Sequence, residues 1–300
     1  MTQDSSTHPI HDPVDDPLII AGKAFTSRLI IGTGKYPSFD DLRNTIDSTG
    51  AQIVTVALRR VSMGNQADRT LNCIDTSRIQ LLPNTSGARD AAEAVRLARM
   101  ARAASGHNWV KLEVTPDPVT LLPDPVETFK AAQLLIEDGF VVLPYISADP
   151  ILARQLQEMG CATVMPLAAP IGTNKGLLTR EFIRTIVEQA TVPVVVDAGL
   201  GAPSHAAAAM ELGVDAVMLN TALSTAANPP LMGQAFRLAV EAGRRGYLAG
   251  LGRVLDGAVA SSPETDRVGA NDATTQTKDS QAEPGPPREG ATPLTGFLDS

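Results

Sequence analysis

The chain has 300 residues, of which 43% are hydrophobic and 19% are charged, and this near-average composition excludes a wholly disordered, collagen-like or coiled-coil protein. The net charge of −8 lies at the two ends, because residues 1–17 carry four acidic and no basic side chains and residues 252–300 carry eight acidic against four basic. Residues 18–251 hold 21 of each sign, so we expect no basic surface for nucleic acid.

Cysteine usage and hydropathy predict the compartment. Cys73 and Cys161 lie far apart, and the sequence has no Cys-x-x-Cys and no cluster with the spacing of metal ligands. No apolar run approaches the roughly 20 residues that span a bilayer, and the first residues form neither a basic nor an apolar leader. We therefore expect a soluble cytoplasmic protein with no metal, no cofactor and no membrane association.

Eight short apolar runs predict strands along the chain. In order, they are residues 29–32, 53–57, 80–83, 110–114, 141–145, 162–165, 194–197 and 216–219. Their starts lie about 20 to 32 residues apart, which is the length of a strand, a helix and two short loops. Such spacing is typical of repeated β/α units with parallel strands.

The segments between these strands carry helix signals. Ser38 precedes an acidic first turn, residues 87–104 are rich in alanine with an apolar period of three to four, and Asp149-Pro150 and Pro203-Ser204 open helices over 151–159 and 206–212. Eight β/α units within about 220 residues favour a closed (β/α)8 TIM barrel over an open doubly wound sheet.

The two ends are predicted to lie outside this barrel. Residues 1–17 have little apolar content and are expected to form a flexible arm before a barrel of residues 18–251. The tail, residues 252–300, contains a low-complexity insertion at 261–290 with no aromatic residue, followed by an apolar segment at 292–298.

Lys111 and Glu113 are the first candidates for chemistry. Side chains alternate across a barrel strand, so Trp109, Lys111 and Glu113 are expected to point into the interior. One interpretation is a buried ion pair that only fixes the core. The other is a lysine whose pKa is lowered by burial, so that its free amine forms an imine with a ketone or aldehyde while Glu113 moves protons.

Asp197 is the next candidate, because it ends an apolar run at the carboxyl-terminal mouth of the seventh strand. Barrel enzymes place their catalytic groups at this end of the strands. The sequence therefore predicts an acid/base role for Asp197. The alternative is a structural carboxylate that caps the helix after the loop 198–201.

Loops follow the sixth, seventh and eighth strands, at residues 169–176, 198–204 and 220–223, and the first two of them contain glycine. Glycine lets backbone N–H groups approach an anion, and the loops after the last strands of this fold often bind phosphate. The Gly-x-Gly pairs at Gly32/Gly34 and Gly199/Gly201 do not continue to a third glycine, so the nucleotide-binding fingerprints are rejected.

The sequence does not assign a definite function to three basic side chains. Arg59 and Arg60 follow the second strand and could contact a phosphate or a carboxylate, although a solvated or ion-paired doublet is the commoner explanation. His205 begins the helix after the loop 198–204, close to the predicted site.

Seven ordered segments of the chain resemble the thiazole synthase family of thiamine biosynthesis. They are LIIGTG (29–34), VTVALRR (54–60), LLPNTSG (81–87), WVKLEVTPDP (109–118), PLAAPIGTNKG (166–176), VVDAGLG (195–201) and LNTAL (219–223). The resemblance covers about residues 18–251, and the Pro-Leu-Thr-Gly at 293–296 is similar to the end of the family's chains. The insertion at 261–290 and the acidic arm depart from the family, but neither touches a motif.

The resemblance implies a sulfur-transferring transferase that forms a Schiff base. Its substrates would be 1-deoxy-D-xylulose 5-phosphate, dehydroglycine and the sulfur of a thiocarboxylated carrier protein, and its product the thiazole phosphate carboxylate. Lys111 would form the imine, and Glu113 and Asp197 would relay protons. The family's sugar phosphate contacts carry over onto five residues: Gly172, Ala198, Gly199, Asn220 and Thr221.

The resemblance also implies partners. These are a homotetramer or dimer, the sulfur carrier, and an enzyme that supplies dehydroglycine from glycine oxidation or tyrosine cleavage. A flexible tether at 261–290 would let residues 294–298 still dock, because the cost of loop closure rises slowly with length.

Imine chemistry with phosphate binding leaves two alternatives open. One is a lysine-dependent phosphosugar aldolase or isomerase on the same fold, and the other is a scaffold that binds a sugar phosphate without chemistry.

Overall fold

The structure is a computed structural model that describes residues 16–57 and 70–259. The chain divides into two units, residues 1–252 and residues 253–300. Most of the predicted arm, the Arg59–Arg60 doublet and the insertion at 261–290 lie outside the described residues. None of the described helices has both the length and the apolar character to cross a membrane.

The described elements alternate between strands and helices. The strands are β1 Leu18–Ile20, β2 Lys23–Phe25, β3 Leu29–Gly32, β4 Ile53–Ala57, β5 Gln80–Asn84, β6 Trp109–Leu112, β7 Val141–Ile146, β8 Met165–Pro166, β9 Val195–Asp197 and β10 Ala216–Leu219. The helices are α1 Phe39–Thr49, α2 Ala91–Ser105, α3 Pro125–Glu137, α4 Pro150–Met159, α5 Arg180–Gln189, α6 Pro203–Glu211, α7 Thr221–Ser224 and α8 Pro229–Ala249.

Strands β3 to β10 form one parallel barrel. Their order across the described sheet is β8-β7-β6-β5-β4-β3-β10-β9. Single parallel bridges from Val164 to Val194 and from Leu167 to Asp197 join its two outer strands. The predicted TIM barrel is therefore confirmed.

Five predicted strands differ from the observed ones at their ends, two of them by more than one residue. The sixth was expected over 162–165, but β8 covers Met165–Pro166, because Val164 and Leu167 pair only through isolated bridges. The fourth was expected to reach Val114, but β6 ends at Leu112, and Val114 forms a single bridge with Ala88.

Capping side chains set where the helices begin. Ser38 accepts a hydrogen bond from the Asp41 N–H at 3.0 Å, as the hydroxyl before an acidic turn predicts. Helix α2 begins at Ala91 rather than at residue 87, because the Asp90 carboxylate accepts from the Glu93 N–H at 2.8 Å. Helix α6 begins three residues before the expected 206, because Pro203 fits its first turn.

An antiparallel hairpin of β1 and β2, absent from the sequence prediction, closes the amino-terminal end of the barrel. Leu18, Ile20 and Phe25 are buried against the first interior residues of the barrel strands. The Phe25 ring meets the Trp109 ring edge to face, with centroids 6.1 Å apart. The interior at this end is therefore a packed core, and open space remains at the other end.

Ile20→Val should lower the free energy of unfolding by about 0.5–1.5 kcal/mol, because it removes a methyl group from this plug. Ile20 is 0% exposed, whereas its neighbour Ile19 is 46% exposed. Ile19→Val is thus a matched control, with an expected effect within about 0.5 kcal/mol. Urea unfolding of both variants makes the measurement, and equal losses would contradict the plug.

Candidate active site

A cavity of about 220 Å³ lies at the carboxyl-terminal ends of the barrel strands. The cavity is lined by all eight residues to which the sequence analysis gave a catalytic or substrate-binding role: Lys111, Glu113, Asp197, Gly172, Ala198, Gly199, Asn220 and Thr221. Residues from four different β/α segments therefore meet at one place, at the end of the barrel where enzymes of this fold have their active sites.

Lys111, Glu113 and Asp197 form a buried ion triad at the base of this cavity. Lys111 Nζ lies 2.7 Å from Glu113 Oε1 and 2.7 Å from Asp197 Oδ2. The three residues are 2%, 5% and 5% exposed, respectively. Only the contact with Glu113 has hydrogen-bond geometry, so the Asp197 contact is an ion pair.

The strands explain why these side chains converge. Lys111 lies on β6, Glu113 lies two residues further along the same face, and Asp197 is the last residue of β9. Thr85 fixes the chain after β6, since its hydroxyl donates to the Glu113 carbonyl and accepts from the Glu113 N–H, both at 2.8 Å. Glu113 is thus held in place beyond the end of its strand.

The expectation that burial lowers the pKa of Lys111 is wrong in its net direction. Desolvation by burial, the largest single influence, does lower it, but the charges of Asp197 and Glu113 together outweigh desolvation and raise the pKa above its ordinary value. Lys111 therefore rests as an ammonium and has to lose a proton before it can act as a nucleophile.

Asp197 is the acceptor best suited to that proton. Burial raises the pKa of Asp197, and the neighbouring Glu113 charge raises it further, while the Lys111 ammonium acts in the opposite direction. A carboxylate with a raised pKa is a stronger base than a solvated one, which suits acid/base work near neutral pH.

In the structure, the cap before α6 is supplied by a side chain other than Asp197. The backbone before α6 is capped by His205, whose Nδ1 accepts hydrogen bonds from the N–H groups of Gly201 and Ala202, both at 3.2 Å. His205, the remaining sequence candidate, is thus a structural cap, and it is not among the residues that line the cavity.

Two glycine loops pack closely over the cavity. Ala198 and Gly199 both have positive φ, at 57° and 78°. A Cβ on Gly199 would lie 2.5 Å from the backbone nitrogen of Ala169, and the Gly176 N–H donates to the Gly199 carbonyl at 2.8 Å. This approach requires glycine at residue 199 and fixes the wall that faces Thr221.

Asn220 joins a third loop to this wall. Its Nδ2 donates to the Gly34 carbonyl at 3.0 Å, and its buried Oδ1 has no hydrogen-bond donor within residues 16–57 and 70–259. That oxygen is available to accept a hydrogen bond from a ligand hydroxyl in the cavity.

Sequence reasoning missed Tyr145, whose ring centroid lies 5.2 Å from Lys111 Nζ. The side chain is fully buried, and desolvation, followed by the charges of Asp197 and Glu113, raises its pKa. The alternation of β7 could have found it, since Tyr145 lies two residues after the interior Leu143. The described residues contain no group of His, Cys, Asp and Glu that could hold a metal ion.

Comparison with known proteins gives a consistent result over the barrel. The family described as "Thiazole biosynthesis protein ThiG" matches residues 19–263. A thiazole synthase of Syntrophobacter fumaroxidans is 63% identical over 252 residues, which are 84% of this chain and 98% of that protein. A thiazole synthase of Photobacterium profundum is 55% identical over 248 residues, which are 83% of this chain and 97% of that protein.

A solved structure also resembles this chain. One chain of the Amycolatopsis orientalis BexX/CysO complex matches with a TM-score of 0.74 at 33% identity. The match covers 81% of this chain and 100% of that one.

Proposed function

The chain belongs to the ThiG family of thiazole biosynthesis proteins, enzymes of thiamine biosynthesis, and from that premise we propose the reaction that its cavity performs. The enzyme condenses 1-deoxy-D-xylulose 5-phosphate with dehydroglycine and with sulfur from a thiocarboxylated carrier protein, which makes it a sulfur-transferring transferase. The observation that carries this proposal is one buried lysine, held between two carboxylates, in the same cavity as the glycine loops.

The first step is imine formation at Lys111. Asp197, 2.7 Å from Nζ, takes the ammonium proton, and the free amine attacks the ketone carbon of the sugar. The resulting carbinolamine loses water to give the imine. Both carboxylates then remain beside the new C=N bond and can remove and return protons at the adjacent carbon.

The phosphate of the sugar binds at the glycine loops. Backbone N–H groups at Gly172, Ala198 and Gly199 can approach a phosphate oxygen, since these residues have positive φ and line the cavity. Thr221 offers a hydroxyl, and Asn220 Oδ1 accepts from a sugar hydroxyl. Anchored in this way, the ketone is presented to Lys111.

The later steps need a protein partner and a second small substrate. Isomerisation, thiocarboxylate addition, ring closure and water loss all move protons, and Glu113 and Asp197 are the groups in reach. That a chain of similar fold was solved in a complex with CysO supports a protein partner. A homotetramer, a dehydroglycine-producing enzyme and a cytoplasmic location complete the proposal, and a sequence with only two cysteines, far apart in the chain, fits a reducing compartment.

Omission of single substrates tests the proposed reaction. We expect formation of the thiazole phosphate carboxylate, as measured by mass spectrometry, only when the sugar phosphate, dehydroglycine and the thiocarboxylated carrier are all present. The same carrier with an ordinary carboxylate terminus is the matched control and should give none. Conversion of the sugar phosphate without the carrier would instead identify an aldolase or isomerase, and binding without any conversion would identify a scaffold.

A further inference from the structure

A second cavity, of about 290 Å³, lies at the amino-terminal end of β3, away from the proposed active site. Its walls come from the segment before β3, the carboxyl-terminal end of α1 and one face of α8. Four arginines line it: Arg28, Arg237, Arg244 and Arg245. Asp16 and Glu241 are its two acidic lining residues within the part of the chain that the structure describes.

Two of these arginines already form ion pairs with a carboxylate. Arg244 binds both oxygens of Asp16, at 2.7 and 2.9 Å, and Arg28 lies 3.0 Å from Asp16 Oδ1 and donates to the Asp215 carbonyl at 2.7 Å. One carboxylate is thus shared by two guanidinium groups. The pKa of Asp16 is correspondingly lowered, by hydrogen bonding to Arg244 first.

The other two arginines have no acidic partner within the described ranges. Arg237 is partly buried, and its Nε is inaccessible to solvent and donates no hydrogen bond to any described residue. Its stem packs beside Gly50 at the end of α1. Arg245 is exposed, and Glu241, one turn from each of them on α8, forms no ion pair with either in this part of the chain.

The charges around the cavity do not cancel. Four guanidinium groups and the carboxylates of Asp16 and Glu241 line the cavity, so the lining has a net charge of +2; the Asp215 carboxylate, outside the lining but 4.0 Å from Arg28, reduces the charge around the cavity to +1. The carboxyl-terminal end of α1 also faces the cavity, but its dipole is equivalent to only about half a negative charge. A buried guanidinium nitrogen without an acceptor is unfavourable, and an anion would satisfy it.

We infer that this cavity is a binding site for a small phosphorylated molecule, held by Arg237 and Arg245. A phosphate monoester dianion matches the net charge of the lining, and planar guanidinium groups bind phosphate oxygens well. Leu29, Val240 and Leu248 provide an apolar wall for the organic part of the ester. The inference does not depend on the reaction proposed for the other end of the barrel.

Hydrogen exchange with inorganic phosphate as the probe tests the site in the full-length protein. Phosphate should slow exchange of the amides in residues 237–248, and phenyl phosphate should do so at lower concentration because of the apolar wall. Each arginine should contribute about tenfold to affinity. Arg237→Ala with Arg245→Ala should therefore abolish this protection, while protection at residues 198–201 reports the proposed active site separately.

Arg43→Ala with Arg184→Ala is the matched control, because it removes two exposed helical arginines elsewhere on the barrel. It should keep the protection at 237–248. The inference is overturned if phosphate does not protect these amides, or if the Arg237/Arg245 double variant, folded by circular dichroism, is still protected. The inference is also overturned if phosphate protects these amides only in the Asp12→Asn/Asp15→Asn double variant. In that case carboxylates of the chain itself would occupy the cavity in the wild type.

Discussion

Lys111→Met should lower the free energy of unfolding by about 3–5 kcal/mol at neutral pH, because it leaves two carboxylates buried without a cation. Glu113 and Asp197 are each 2.7 Å from Nζ and at most 5% exposed, so neither can recover its hydration in place. Urea unfolding at several pH values measures the effect.

The pH dependence of this loss has a definite sign. In the wild type, burial already raises the pKa of the Asp197 carboxyl group. In the folded Lys111→Met variant this pKa should be higher still, because the neighbouring ammonium that lowers it is gone. A raised folded-state pKa adds stability at low pH that is lost as the pH rises through it. The variant should therefore be closer to wild type at about pH 5 than at about pH 8.

Lys111→Arg is the matched control for this prediction. It keeps a positive charge between the two carboxylates, although the longer side chain has to be accommodated. It should retain more stability than Lys111→Met while losing the imine, because a guanidinium is not a nucleophile at neutral pH. A Lys111→Met protein as stable as wild type at neutral pH would show that the triad is not buried as described.

Gly199→Ala should be the most damaging small substitution in the loops, with a loss of about 2–5 kcal/mol in stability from strain and overpacking. The new Cβ would lie 2.5 Å from both the nitrogen and the Cβ of Ala169, and neither atom belongs to a flexible side chain that could move away. Because the loop carries the proposed phosphate site, affinity for the sugar phosphate should fall as well. Thermal unfolding and calorimetric titration measure the two effects.

Gly139→Ala separates backbone strain from the collision. Gly139 has the same φ of 78°, but its added Cβ would meet nothing within 4 Å. It should lose only about 1–2 kcal/mol, which is the strain of a left-handed residue, and leave sugar phosphate affinity unchanged. Equal losses in the two variants would contradict the close approach of the two loops.

The barrel was predictable from sequence because short apolar runs, several of them rich in β-branched residues, recur at regular spacing. Residues 29–32, 53–57 and 216–219 agree with the observed bounds. The hairpin was not predictable in the same way, because Leu18–Ile20 and Lys23–Phe25 are three residues each, too short to show a period. Its buried side chains pack against interior residues of the barrel strands, among them Trp109, which are distant in sequence.

The site was predictable in its members but not in its electrostatics. Lys111 and Glu113 are two residues apart, so alternation alone places them together, whereas the distance from Lys111 to Asp197 depends on barrel closure. Burial alone predicted a lowered lysine pKa, and the charges of Asp197 and Glu113 together reverse the direction. His205 likewise has a role that only the loop geometry reveals.

The central claim is that Lys111 forms an imine with the sugar phosphate, and borohydride trapping tests it most directly. The protein is reduced in the presence of 1-deoxy-D-xylulose 5-phosphate, and its peptides are examined by mass spectrometry, with Lys111→Ala as the control. We predict a reduced sugar phosphate adduct on Lys111 that is absent from the variant. An unmodified Lys111 in folded protein that binds the sugar phosphate would contradict the mechanism.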